Sequence, residues 1–443
     1  MSIHRNERVE RVYEILTEDD QRTCEAIPES ACKEVPGNFM LNALNGASTK
    51  LAEQIASPSL VLPWLLGAMG APPSLSGFLV PLYKGGSLIP QLAVSGQIRQ
   101  FALRKWFWVG AGTVQGIALL LMAASALLLD GLYGGIAVLT LLLIFSVGSG
   151  VGSVSFKDVM AKTIPKGKRG TLLSIRATAG GALSLGAGFV LHRFVGEGES
   201  IGLYVWLLLI AAGLWLTAAL LFAFMREEKG ATDGARHALQ EARAGWQVLK
   251  EQPMFARLVI ARGLLLSVML VIPFYALLAR EVTGTAVSSL GIFVITSSLA
   301  MVLSSYIWGR FADRSSRLVM AAGGVVGIAG CALALTFLML PESWQNPWAF
   351  SLVFFIGGLA QAGTRLGRKT YLVDAAPAKE RPLYVAVSNT LIGLITLSSA
   401  VLGFIADLFG TPWLIGFFAL IMLAGTLTAY SLPEAENMVK TPN

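Results

Sequence analysis

Charge is scarce in this chain: Asp, Glu, Lys and Arg make up 14% of its 443 residues, against roughly 25% in a soluble domain. Histidine and cysteine are scarcer still, at three each; His192 is the one histidine near an apolar stretch, and Cys331 lies inside one. That leaves no nucleophile–base constellation, so the chain is not expected to be an enzyme. Cys24 and Cys32 lie in a hydrophilic N-terminal segment and are expected as reduced thiols. A metal site there would find only His4 as a further ligand, so no metal or other cofactor is expected. No phosphate-binding loop occurs, which leaves ATP drive unsupported. No signal-peptide pattern opens the chain, and no cleavage is expected.

What fills the sequence is apolar: 54% of it is hydrophobic. A bilayer core about 30 Å thick takes roughly 20 apolar residues per helix. Twelve such spans can be read, near 39–69, 74–97, 106–129, 133–156, 171–194, 202–225, 256–280, 288–309, 318–340, 347–367, 383–406 and 412–432. They are expected to be helices, because lipid offers backbone groups no partners and the runs are too long for barrel strands. The fold class is therefore an all-α polytopic membrane protein with 12 transmembrane helices.

Short loops rich in Lys and Arg stay in the cytoplasm. Even-numbered connections carry the basic residues: Arg99, Arg104 and Lys105; Lys157, Lys162, Lys166, Lys168 and Arg169; Arg226, Lys229, Arg236, Arg243 and Lys250; Arg310, Arg314 and Arg317; Arg365, Arg368, Lys369, Lys379 and Arg381. Odd connections hold little beyond Arg193 and Arg280. Both termini are therefore expected in the cytoplasm, and the net charge of +7 reads as topology rather than a nucleic-acid footprint.

The polar segment from Arg226 to Gln252 divides the chain after the sixth span, with Ala238, Ala242, Trp246 and Leu249 on one face of a possible amphipathic helix. The expected organisation is a tail over 1–38, a six-helix bundle over 39–225, a linker over 226–255, a second bundle over 256–432 and a tail over 433–443. Internal repetition supports the division. Pro165–Arg169 aligns with Pro377–Arg381 at an offset of 377 minus 165, or 212, and Gly96–Arg104 aligns with Gly309–Arg317 at 309 minus 96, or 213. An even number of spans per half makes this a parallel repeat about an axis along the membrane normal.

Six plus six spans, a central linker and the loop pattern Gly-x-x-x-Asp-Arg-x-Gly-Arg-Arg/Lys resemble the major facilitator superfamily, over roughly 39–432. Gly309, Asp313, Arg314 and Arg317 match the pattern, with Ser316 in place of its second glycine; in the first half Gly96, Arg104 and Lys105 match, but Gln100 and Phe101 replace Asp and Arg. The resemblance implies two six-helix bundles and makes Gly96, Arg104, Gly309, Asp313, Arg314 and Arg317 a conformational latch, stronger in the second half. It also implies proton coupling as the common energy source. The family's usual arginine inside the fourth span is absent, with Ser146, Gly148, Ser149 and Gly150 there instead. Short loops resemble the family's bacterial members.

Ionisable residues near the bilayer midplane cost at least about 2.5–3.5 kcal/mol each on insertion scales, which makes them functional candidates. In the first span Asn42, Asn45, Gly46, Thr49, Lys50, Glu53 and Ser57 fall on one helical stripe, with Lys50 and Glu53 spaced for an i,i+3 pair. Lys84, between Tyr83 and Gly85, sits mid-span in the second. Glu53, Lys50 and Lys84 are expected to share a polar cavity. It is either a substrate and coupling site, with the lysines attracting an anionic or zwitterionic group and Glu53 exchanging a proton, or a structural ion pair locking two helices. Gln361 and Asn389 are further candidates to touch substrate, or else tie helices together. Arg176 and Arg262 either line the vestibule or snorkel to the interface. Lys157 with Asp158, and Lys369 with Asp374, are expected as salt bridges at the cytoplasmic ends of the fourth and tenth spans.

The expected function is secondary active transport of a small solute across the cell membrane by alternating access. A multidrug or lipid exporter of the same fold, or a non-transporting membrane sensor, are the alternatives. Expected partners are the small-molecule substrate, protons and membrane lipids, without nucleic acid, and the chain is expected to act as a monomer. In the N-terminal tail Val9, Val12, Tyr13 and Leu16 recur at helical spacing, which fits a short amphipathic helix on the membrane surface or on the loops, with disorder the alternative.

Overall fold

The computed structural model describes residues 7–17, 29–165, 168–194, 201–229, 247, 249–284, 287–312, 315–375 and 381–434. Among these there is no strand. Span 1 is Val35–Ile55 continued by Val61–Ala68; spans 2 to 6 are Pro73–Arg99, Lys105–Leu128, Gly131–Thr163, Arg169–Phe194 and Ile201–Ala223. Span 7 runs through Pro253–Leu264, Ser267–Leu270 and Ile272–Thr283; spans 8 to 10 are Val287–Ala312, Ser316–Thr336 and Pro347–Ala375. Span 11 is Arg381–Ser398 carried on by Ser399–Gly403 and Phe404–Phe409, and span 12 is Thr411–Tyr430. Twelve spans put the start of span 1 and the end of span 12 on one side, the terminal face; the opposite side is the distal face.

Among the described residues nine of these spans are long and apolar enough to cross a membrane as they stand, span 8 contributes a shorter apolar stretch over Ser289–Ser304, and spans 1 and 2 fall short of that measure. Spans 1 and 2 fall short because they carry the polar residues singled out above, and span 1 is also broken. At the break the amides of Leu60, Val61 and Leu62 all turn back to the Ser57 carbonyl, at 3.3, 2.9 and 3.0 Å. Pro58 has no N–H to continue the helix, and serines flank it on both sides.

Packing repeats with the sequence. Spans 3–4, 3–6, 2–4 and 1–6 touch in the first half; spans 9–10, 9–12, 8–10 and 7–12 touch in the second. The distal turns repeat too. Gly70 after span 1 and Gly284 after span 7 both have positive φ, 71° and 86°, which a glycine adopts without the Cβ penalty at a helix end.

The two bundles meet mainly along spans 2–11 and 5–8, pairs that the repeat interchanges, with span 1 also touching span 7. These contacts crowd toward the distal face. An added Cβ on Gly77 of span 2 would lie 2.6 Å from Gly403 Cα of span 11, and one on Gly291 of span 8 would lie 2.5 Å from the His192 amide nitrogen of span 5. The Arg280 guanidinium of span 7 donates to the Trp64 carbonyl of span 1 at 3.0 Å, and the Ser74 amide donates to Asp407 Oδ1 at 2.9 Å.

Glu7–Thr17 is a helix whose Tyr13 is buried edge-on against Phe39, ring centroids 5.2 Å apart, in a cluster with Val35, Ile164 and Leu172. It therefore packs on the terminal-face ends of spans 1, 4 and 5. Val12, Ile15 and Leu16 remain exposed. Cys32 is disulfide-bonded, where a reduced thiol was expected; Cys24 and His4 lie outside the described residues, as does most of the expected linker helix, including Ala238, Ala242 and Trp246.

Candidate functional site

The polar stripe of span 1 divides into two environments. Toward the terminal face Asn42 and Asn45 are fully buried between helices. The Asn45 side-chain amide donates to the Ala218 carbonyl of span 6 at 2.9 Å. The Arg176 guanidinium of span 5 donates to the Asn42 carbonyl at 2.6 Å, to Asn45 Oδ1 at 3.1 Å and to Asn42 Oδ1. Arg176 also lies over the Phe156 ring at 4.6 Å and fills the space left by Gly46, where a Cβ would collide with it. Its Nη1 is engaged by neutral acceptors inside the first bundle, and Glu53 is the charge that acts on it.

One turn deeper the stripe turns polar and open. Lys50 Nζ reaches Glu53 Oε2 at 2.6 Å, with both side chains partly exposed, so the expected i,i+3 pair forms. The close approach of Lys50 depends on Gly180 of span 5, where a Cβ would overlap the Lys50 stem. Lys84 of span 2 is exposed, its ammonium 4.5 Å from the centroid of the Tyr83 ring. It lies in the electrostatic field of Glu53 and Lys50 from span 1 and of Arg365 and Arg368 from span 10.

Across the seam, a cavity of about 130 Å³ separates the bundles, lined by Gln54, Ser57 and Leu60 at the break in span 1, Tyr275 of span 7, Ser297 of span 8, and Gln361 and Arg365 of span 10. Glu53 itself lines a smaller void beside Tyr83, Phe145 and Pro58. Asn389 sits apart from this cavity, accepting from Arg262 at 3.2 Å, while Ser388 accepts another Arg262 hydrogen bond. Arg262 is almost wholly buried, so it does not snorkel.

The structure thus brings Lys50, Glu53 and Lys84 together and sets Gln361 on the facing wall. Asn45 and Asn389 are placed in helix-to-arginine contacts. Arg365 lines the cavity, and Arg368 and Lys369 follow it on the same helix and not in a loop, since span 10 continues to Ala375, past the expected end at 367. A sliding hydropathy reading ends a span where arginines gather. The signal that survives is periodicity: Gly358, Gln361, Arg365 and Lys369 recur at i+3 and i+4.

Of the latch candidates, Arg104 and Arg317 sit on the terminal face and each has a partner in its own bundle. Arg104 pairs with Asp158 of span 4 at 3.0 Å, and its carbonyl accepts from Ser155. Lys157 has no part in that pair; it faces Lys369 as a like charge. Arg317 pairs with Glu434 at 2.8 Å and donates to the Tyr430 and Leu432 carbonyls. Gly96 and Gly309 lie within spans 2 and 8; Asp313 and Arg314 lie outside the described residues. No group of three or more His, Cys, Asp or Glu capable of holding a metal occurs among the described residues.

Comparison with known proteins agrees with this architecture. Residues 263–443 match the family model of the Major Facilitator Superfamily. An uncharacterized protein of Mycobacterium tuberculosis is 28% identical over 376 residues, covering 81% of this chain and 70% of that protein, and one of Mycobacterium bovis matches equally. Among solved structures, a variant of the nucleoside transporter NupG superposes with a TM-score of 0.70 at 14% identity, covering 89% of this chain and 99% of that one. A D-xylose-proton symporter gives 0.66 at 16% identity, covering 90% and 98%, and the xylose transporter XylE from E. coli gives 0.63 at 15%, covering 91% and 98%. The family model falls on the second bundle, and the fold shared with these solved transporters extends over both.

Proposed function

We propose that this chain is a secondary active transporter that carries a small anionic or zwitterionic solute across the cell membrane by alternating access, with Glu53 as the proton-exchanging group. The observation that carries this reading is the Lys50–Glu53–Lys84 group in the first bundle, set within the field of Arg365 across the inter-bundle seam. A midplane site at a repeat interface, beside a broken helix, is where such carriers bind. The units that rock are the bundles over 39–225 and 256–432. The terminal face is cytoplasmic on the distribution of Lys and Arg. A disulfide at Cys32 runs against a reducing compartment, but five basic connections on one side weigh more than one cysteine. With the bundles in contact near the distal face, the structure then corresponds to a carrier open toward the cytoplasm.

Purified protein screened by thermal shift against metabolites identifies the solute, since a ligand at 100 times its Kd adds roughly 2.7 kcal/mol of apparent stability. In proteoliposomes Glu53→Gln is expected to lose accumulation driven by a pH gradient while keeping counterflow exchange. Loss of both activities would make Glu53 a structural partner of Lys50 and remove it from the coupling step.

A further inference from the structure

The charges facing the seam do not balance. Glu53 is already bonded to Lys50 at 2.6 Å. The other charges that act on Lys84 are Lys50, Arg365 and Arg368, all positive. Arg368 in turn lies in the field of Arg365, and Arg262 behind it meets only the neutral Ser388 and Asn389. Lys369 and Lys157 extend the same sign toward the terminal face. Glu53, shared with Lys50, is the one carboxylate that acts on Lys84, and none acts on Arg262, Arg365, Arg368 or Lys369 among the described side chains.

Two details separate this group from an ordinary basic surface. Arg368 and Arg262 each bury an Nε that has no hydrogen-bond partner, and a buried donor left unmade costs about 1–3 kcal/mol. Arg365 lines the inter-bundle cavity directly, opposite Gln54 and Ser57. The cations also come from both bundles. Lys84 is 11 residues into Pro73–Arg99, while Arg365 is ten residues from the end of Pro347–Ala375. At 1.5 Å per residue Lys84 lies roughly 16 Å from the distal end of its helix and Arg365 roughly 15 Å from the terminal-face end of its own. Unpaired cations at such depth call for a counter-charge from outside the chain.

We propose that the site takes a small organic dianion, with one anionic group held by Lys84 of the first bundle and the other by Arg365 and Arg368 of the second. This rests on the transporter reading above and narrows its substrate class. Guanidinium groups suit the planar or tetrahedral oxygens of carboxylate and phosphate, and an ammonium over a tyrosine ring supplies a compact point charge. A monoanion would neutralise one bundle and leave the other bare.

The test uses the purified full chain and matched pairs: succinate, glutarate and malate, each beside the derivative in which one carboxylate is masked as its methyl ester. Affinities are read by thermal shift and by isothermal titration. A dianion is expected to bind at least 10-fold tighter than its ester, and the ratio is expected to fall below about threefold in both Arg365→Gln and Lys84→Met. A second measurement follows flux of the same compounds, and of neutral sugars and amino acids, into proteoliposomes. An ester, zwitterion or neutral solute that binds as tightly as every dianion overturns the proposal, as does a preference that survives both variants. Flux of other solutes without any of dianions would overturn it and leave the transporter standing. Binding of dianions without flux of any solute would do the reverse. Absence of both overturns the two together.

Discussion

Arg176 and Arg365 are both arginines inside apolar helices, and what separates them is what their donors meet. Arg176 finds two asparagines and a carbonyl on span 1 and the gap left by Gly46. Its role is to fasten span 5 to span 1. Arg176→Leu removes those bonds and strands Asn42 and Asn45 in a dry interface, a cost of about 1–3 kcal/mol for each orphaned group. Scanning fluorimetry in detergent should show a lowered unfolding midpoint, whereas Arg365→Gln, whose side chain faces the cavity, should leave the midpoint close to that of the parent. An unchanged midpoint in Arg176→Leu would count against the fastening role. The sequence shows that Arg176 sits within an apolar helix, but not that Asn42 and Asn45 would turn toward it. Pairing across 131 and 134 residues of chain has no local signature, and helical spacing alone groups Asn45 with Lys50 and Glu53 on one stripe.

At the scale of the element, span 2 shows how one bundle can complete a helix of the other. Its own N-cap residue is Pro72, which offers no side-chain hydrogen bond. The free amide of Ser74 is taken instead by Asp407 of span 11, at 2.9 Å. A carboxylate at a helix N-terminus accepts an orphan N–H and meets the positive end of the helix dipole. This cap exists only while the distal seam is closed. Asp407→Ala should withdraw about 1 kcal/mol from the closed arrangement, a shift of about fivefold in the equilibrium between the two. The maleimide labelling rate of a cysteine placed at Ser74 should rise by about that factor. A rate that does not change would mean the seam is held by the glycine contacts alone. Gly77→Val gives the complementary expectation, since a side chain there meets the backbone of Gly403: labelling should rise further than in Asp407→Ala. Helix positions were largely legible in advance, because hydrophobic runs of bilayer length admit little else. The break at Ser57–Ser59 and the continuation of span 10 were not. Apolarity persists through the first, and charge obscures the second.

At the scale of the whole molecule, the repeat extends into the way each bundle is closed. Lys105 donates to the carbonyls of Ala223 and Met225, and its amide and Lys162 both reach Glu227. Arg317 donates to the carbonyls of Tyr430 and Leu432 and pairs with Glu434. The acids are related by 434 minus 227, or 207 residues, as are the two carbonyl pairs. In each half a base at the start of the third helix grips the chain just beyond the sixth. The loop alignment at 213 set Arg317 opposite Arg104, one residue short of Lys105, the base that makes the grip in the first half. The acids escaped notice because both stand outside the spans, in segments that read as linker and tail. The two grips differ in burial. The Glu227 side chain is fully buried and that of Lys162 is 18% exposed, whereas Arg317 and Glu434 are 25% and 39% exposed. Removing one partner of a buried pair leaves an uncompensated charge, while an exposed pair is screened by water. Glu227→Gln should therefore cost on the order of 3 kcal/mol, and Glu434→Gln about 1 kcal/mol or less. Limited proteolysis during heating would resolve the difference. In Glu227→Gln the first cuts should appear within spans 1 to 6 at a clearly lowered temperature, and in Glu434→Gln the pattern should stay near that of the parent. Equal shifts in the two variants would show that burial does not set the strength of these grips, and that each bundle is closed by its helix packing instead.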